Sequence, residues 1–198
     1  ISLSTWFRDY LYIPLGGSRG GIWMKVRNTF IIFIISGFWH GANWTFIVWG
    51  AINAVYFIPL LLTKKNRNHL LIVASGKLLP SFRETISILS TFCLTVFAWV
   101  VFRAENISHA NSYLSKIFSL STFTIPHFVG IRRSLEIVII ILLFLIIEWL
   151  GREQQYAIAK IGSILKKPVR WISYYIIIMT IYFYGSFSDT IEFIYFQF

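Results

Sequence analysis

Thr29–Thr63 reads TFIIFIISGFWHGANWTFIVWGAINAVYFIPLLLT, 35 residues without an Asp, Glu, Lys or Arg. A helix needs about 20 mainly apolar residues to cross the hydrocarbon of a bilayer. As one straight helix this block would run ~52 Å at about 1.5 Å per residue. That is too long for one crossing, even a tilted one. Gly37, Gly41 and the polar run His40–Asn43 lie near its middle. The block therefore predicts a break, kink or re-entrant bend there, with Trp44–Leu62 long enough to span unaided.

Further blocks follow. Thr85–Phe102 and Trp171–Ser188 carry no charge, and Leu135–Leu150 carries charge only near its ends, at Glu136 and Glu148. Backbone groups in lipid must be satisfied internally, which leaves helices or closed barrels. A barrel strand alternates apolar and polar residues. The run Ile137–Ile147 is apolar throughout, so the blocks are helices. Spans are expected at about Trp44–Leu62, Thr85–Phe102, Leu135–Leu150 and Trp171–Phe187. The fold class is all-α, with multi-span transmembrane helices and interfacial amphipathic helices.

The connectors have their own patterns. Residues 1–28 are rich in Trp and Tyr, which favour the membrane–water boundary, and read as short interfacial segments. Within them Gly16-Gly17 and Gly20-Gly21 bracket Ser18-Arg19 as a flexible turn. Residues 64–84 form a basic connector, with a short apolar segment at Leu70–Ala74. Ile107, Ala110, Leu114, Ile117 and Phe118 recur at helical spacing and predict a short amphipathic helix. Ala157, Ile158, Ile161, Ile164 and Leu165 predict a second, in-plane helix over 152–167 that Pro168 ends. Glu136 is expected in the first turn of its span, where the helix dipole favours an anion.

The chain is 57% hydrophobic and 13% charged, against ~25% charged for soluble domains. That excludes a soluble domain. The net charge of +10 would suggest nucleic acid on a soluble protein. Here the basic residues fall between apolar blocks, at Arg19, Lys25, Arg27, Lys64, Lys65, Arg67, Lys166, Lys167 and Arg170 among others. The partner they indicate is the bilayer and its anionic head groups, not nucleic acid. Cys93 lies alone in an apolar block and reads as a small packing residue. His69, His109 and His127 sit in connectors at spacings that match no common metal pattern, so no metal is expected.

Ionisable groups at lipid depth are costly and usually functional. The outstanding case is His40, within Trp39-His40-Gly41-Ala42-Asn43-Trp44. On a continuous helix Ser36, His40, Asn43 and Trp44 would share a face. Desolvation disfavours the imidazolium, and a neutral imidazole can accept a proton as a general base. The other reading, a structural histidine bonded to a neighbouring helix, stands level with it on these grounds. Arg8 and Asp9 read as a local ion pair, and Arg103 as a span-end residue reaching the head groups. Glu148 is four residues before Arg152, which favours a helix-end pair.

Ile1–Gly17, containing Trp6-Phe7-Arg8-Asp9-Tyr10, resembles the membrane-bound O-acyltransferase family, on its bacterial alginate O-acetyltransferase branch. Ser36–Phe46 resembles that family's Trp-His-Gly motif. Phe102-Arg103-Ala104-Glu105-Asn106 and the tail Phe193–Phe198 are also similar to this branch. The resemblance implies a partial family fold over residues 1–198, with His40 as the catalytic residue. It implies Trp39, Asn43, Trp44 and Ser36, with Arg8 and Asp9, as supporting or tunnel-lining residues. It implies no bound cofactor and an acyl donor that is acetyl-CoA or another acyl thioester, reaching a central tunnel from the cytoplasm. The acceptor implied is an exported cell-surface polysaccharide or an acyl-accepting partner protein outside the cytoplasm, with the protein in the bacterial inner membrane. Family members carry a second functional histidine just upstream of the position of Ile1. The chain is accordingly expected to be a C-terminal portion lacking its N-terminal spans, and inactive by itself. The competing expectation is a channel or export subunit with no chemistry of its own. A polar stripe through several spans would favour that; the sequence shows one polar cluster.

Overall fold

The computed structural model describes residues 3–64, 72–124, 128–185 and 187, and it is all-helical, with no strand among them. The tail Phe193–Phe198, His69 and His127 fall outside the described residues, as do Leu70 and Leu71 of the expected connector segment. Among the described residues four helices are long and apolar enough to cross a membrane: α2 (Gly21–Trp39), α3 (Trp44–Leu62), α4 (Phe82–Arg103) and α6 (Ile131–Gly151). The chain divides into two compact units.

The first unit opens with α1 (Leu3–Phe7) and a π-helical turn at Arg8–Tyr12. A glycine turn leads into α2, which begins seven residues before the end of the stretch expected to be interfacial. Lys25, Arg27 and Asn28 break the apolar run in sequence, yet they occupy the first two turns of α2. Asn28 is fully buried. Its Nδ2 donates to the carbonyls of Leu15 (3.2 Å) and Gly17 (3.1 Å), and its Oδ1 accepts from the Arg27 guanidinium at 3.0 and 3.1 Å. The glycine turn is thus tied down. Gly16, Gly17 and Gly21 all have positive φ there, which residues with a Cβ adopt at a cost.

The expected break falls at residues 40–43, and α3 occupies the predicted Trp44–Leu62. α2 and α3 pack antiparallel at very close range. A Cβ built on Gly37 would lie 2.3 Å from the Phe46 carbonyl oxygen, and one on Gly50 would lie 2.3 Å from that of Phe33. Without a hydrophobic driving force between helices in lipid, small residues that admit backbone contact hold such pairs together. α4 packs on α3 and on α5 (Ile107–Ile117), the first predicted amphipathic helix. The Asn106 side chain caps α5 by accepting from the His109 N–H at 2.8 Å. Cys93 is exposed on α4 and fills no core here.

The second unit comprises residues 72–81, α6, α7 (Ile161–Ile164) and α8 (Lys167–Tyr184). The Arg152 guanidinium lies 4.3 Å from the centroid of the Trp149 ring. It donates to the carbonyls of Trp149 (2.6 Å), Val73 (3.1 Å), Ala74 (2.8 Å) and Lys77. The expected Glu148–Arg152 pair is therefore absent, because backbone carbonyls of residues 73–77 consume the guanidinium's donors. The in-plane helix over 152–167 is also absent. The chain turns back so sharply that the Ala157 carbonyl packs on Gly151, 2.2 Å from a built Cβ, leaving only the one-turn α7. Pro168 opens α8 instead of ending a helix, since its missing N–H costs nothing in a first turn. α8 carries Lys167 and Arg170 in that turn and is rich in tyrosine, and it is not among the four span-length apolar helices. α6 starts four residues before the expected span, so Glu136 lies beyond its first turn and accepts from the Tyr184 hydroxyl at 3.1 Å.

Candidate functional site

His40 caps the C-terminus of α2, its N–H donating to the Gly37 carbonyl at 3.0 Å. Gly41 then takes φ +144°, a region that favours glycine, and Asn43 is extended. The helix stops at Trp39, so Ser36, His40, Asn43 and Trp44 do not share one continuous helical face. What surrounds His40 is aromatic. Its ring centroid lies 5.3 Å from Trp39, 6.3 Å from Phe46, 5.4 Å from Trp49 and 5.3 Å from Phe102. Trp39, Trp49 and Phe102 stand nearly perpendicular to it, at 76°, 89° and 84°. Phe102 in turn packs on Phe46, Trp49 and Trp99 at 4.9 to 5.3 Å.

The cage explains the electrostatics. His40 belongs to the link between α2 and α3, and its partial burial among these rings lowers its pKa below the ordinary 6.5 by desolvation. The imidazole is held neutral at pH 7, in the form able to take a proton.

Asn43 plays a different part from the one expected. Its Oδ1 accepts from the Thr45 N–H at 3.1 Å, capping α3, and its Nδ2 donates to the Glu105 carbonyl at 2.8 Å. It fixes the break and anchors the end of α4, which brings Phe102 to the histidine. Trp44 is 71% exposed and touches no other described ring. Ser36 is half-buried in α2. Arg8 and Asp9 form an exposed ion pair at 2.7 Å, the only one among the described residues. Arg8 holds the Asp9 carboxyl below its usual range. Trp39 and His40 are thus brought together, while Arg8, Asp9 and Trp44 are not shown at the cage. Phe46, Trp49 and Phe102 were missed. Phe46 and Trp49, three residues apart, share a face of the first two turns of α3, a readable signal; Phe102 depends on α4 docking.

The family model for the MBOAT, membrane-bound O-acyltransferase family matches residues 1–101. The chain is similar to the probable alginate O-acetylase AlgI of Azotobacter vinelandii, 38% identical over 79% of this chain and 30% of the relative. It is similar to the protein of the same name from Pseudomonas aeruginosa, 36% identical over 79% of this chain and 28% of that one. The peptidoglycan O-acetyltransferase of Helicobacter pylori is 36% identical over 64% of this chain and 23% of that protein. Matches to the two AlgI proteins take in only about 30% of their length. No solved structure matches the chain.

Proposed function

The chain belongs to the membrane-bound O-acyltransferase family, and from that premise we propose that the whole protein is an O-acetyltransferase of the bacterial inner membrane with His40 as its general base. The acceptor is a hydroxyl of an exported cell-surface polysaccharide. The donor is an acyl thioester, acetyl-CoA or an equivalent carrier, arriving from the cytoplasmic side. The names of the relatives support the reaction class, and one observation carries the residue assignment. His40 stands at the break between two spans, in an aromatic cage that keeps it neutral.

In this reading the His40 imidazole takes the proton of the acceptor hydroxyl as its oxygen attacks the thioester carbonyl. The C–S bond breaks as the new C–O bond is completed, and the departing sulfur takes the proton from the imidazolium. General-base catalysis contributes about 10²–10⁴-fold, so positioning of both substrates supplies much of the remainder. Trp39, Phe46, Trp49 and Phe102 hold the imidazole, and Asn43 holds the break.

The test is transfer of isotope-labelled acetyl from a thioester to polysaccharide by the full-length protein in proteoliposomes. Label found on polymer hydroxyls supports the assignment. Thioester loss to water alone, with no labelled polymer, contradicts it.

A further inference from the structure

At the end of the α2–α3 hairpin away from His40, a groove of about 440 Å³ opens between the glycine turn and the two helices. Its floor is apolar, formed by Ile32, Phe33, Phe57 and Leu61. Its rim carries Tyr12, Ser18, Lys25 and Lys64. Among the described residues no carboxylate lines it.

Three features make this a prepared site. The turn bearing Ser18 is fixed by the Asn28 bonds to Leu15 and Gly17, and the Tyr12 hydroxyl is bonded to Ser18 Oγ at 2.9 Å. Lys64 is held just past α3 at φ +53°, its N–H donating to the Leu61 carbonyl at 3.2 Å. Thr29 also lines the groove. It is 6% exposed. Two cations and the hydroxyls of Tyr12, Ser18 and Thr29 call for a phosphate-bearing ligand, while the aromatic and aliphatic floor calls for a hydrocarbon chain. Inorganic phosphate would leave that floor bare, and a choline head group would set a cation against two lysines.

We propose that this groove binds one anionic phospholipid of the surrounding membrane, its phosphodiester between Lys25 and Lys64 and an acyl chain along Ile32, Phe33 and Phe57. The lipid braces the start of α2 to the end of α3. A lysine near a membrane surface contributes roughly fivefold in anionic lipid binding. Native mass spectrometry of the full-length protein, released from bilayers of phosphatidylglycerol and phosphatidylcholine, reads occupancy directly. Wild-type protein retains phosphatidylglycerol in preference to phosphatidylcholine. Lys25→Gln with Lys64→Gln lowers that retention about 30-fold, taking both lysines together. Thr29→Val lowers it about fivefold, as expected for one hydrogen bond. Lys116→Gln, remote from the groove, leaves it unchanged. Equal retention of both lipids, unchanged retention in the double variant, or displacement by millimolar inorganic phosphate with no lipid preference would overturn the proposal.

Discussion

The ring of Phe102 stands edge-on to the imidazole of His40, with centroids 5.3 Å apart and planes at 84°. The two residues lie far apart in sequence and are joined through Asn43, whose amide binds the Glu105 carbonyl. The last turn of α4 is therefore part of the histidine's wall. Edge-to-face pairs contribute about 0.5–1.5 kcal/mol beyond their burial. Phe102→Leu should lower acyl transfer roughly 3- to 10-fold on that scale, with membrane abundance unchanged. Transfer rates normalised to immunoblotted protein check this.

Asn43 has two separable jobs. Asn43→Asp keeps the cap on α3 and loses the donor to Glu105, whereas Asn43→Ala loses both. A cap contributes ~1 kcal/mol and a neutral hydrogen bond about the same. Thermal unfolding of the full-length protein in detergent should rank wild type above Asn43→Asp and that above Asn43→Ala. Equal midpoints for wild type and Asn43→Asp would show that the Glu105 bond contributes nothing, and equal midpoints for the two variants would show the same of the cap.

Gly37 and Gly50 admit backbone carbonyls where a methyl group would stand. Alanine at either position should separate α2 from α3, at a cost of about 1–3 kcal/mol or more, and reduce the folded yield. Gly162→Ala, whose new methyl would have only the Arg170 guanidinium near it, at 3.7 Å, should be tolerated. Fluorescence-detected size-exclusion profiles of the three variants distinguish these outcomes.

Desolvation lowers the His40 pKa, so the folded protein resists protonating it and the unfolded chain binds the proton more readily. Stability from this group is complete above 6.5 and is lost as pH falls toward the lowered value. The base form is lost over the same window. The acid limb of kcat/KM should therefore lie below pH 6.5, and relieving the desolvation with Trp49→Gln should move it upward. A limb that stays in place in that variant would count against the cage as its cause.

Much of this was readable because helix boundaries are set by local chemistry. The break at His40–Asn43, the start of α3 at Trp44 and the amphipathic α5 all follow from glycine, polar and periodic signals within a few residues. What escaped the sequence depends on long-range packing. Asn28, at the end of the stretch expected to be interfacial, is a buried anchor for the glycine turn. Residues 157–165 have a helical apolar period, but the chain turns back onto Gly151. Arg152 was assigned to Glu148, although carbonyls near residue 75 take its donors. The cage was legible only in part, since Phe46 and Trp49 lie on one turn of α3 while Phe102 arrives with α4.

That His40 is the general base is tested by polysaccharide acetylation in cells carrying full-length His40→Ala at wild-type membrane abundance. Loss of the base should lower polymer acetyl content by at least ~10²-fold, with the variant still folded in detergent. Acetylation near the wild-type level at matched abundance would contradict it.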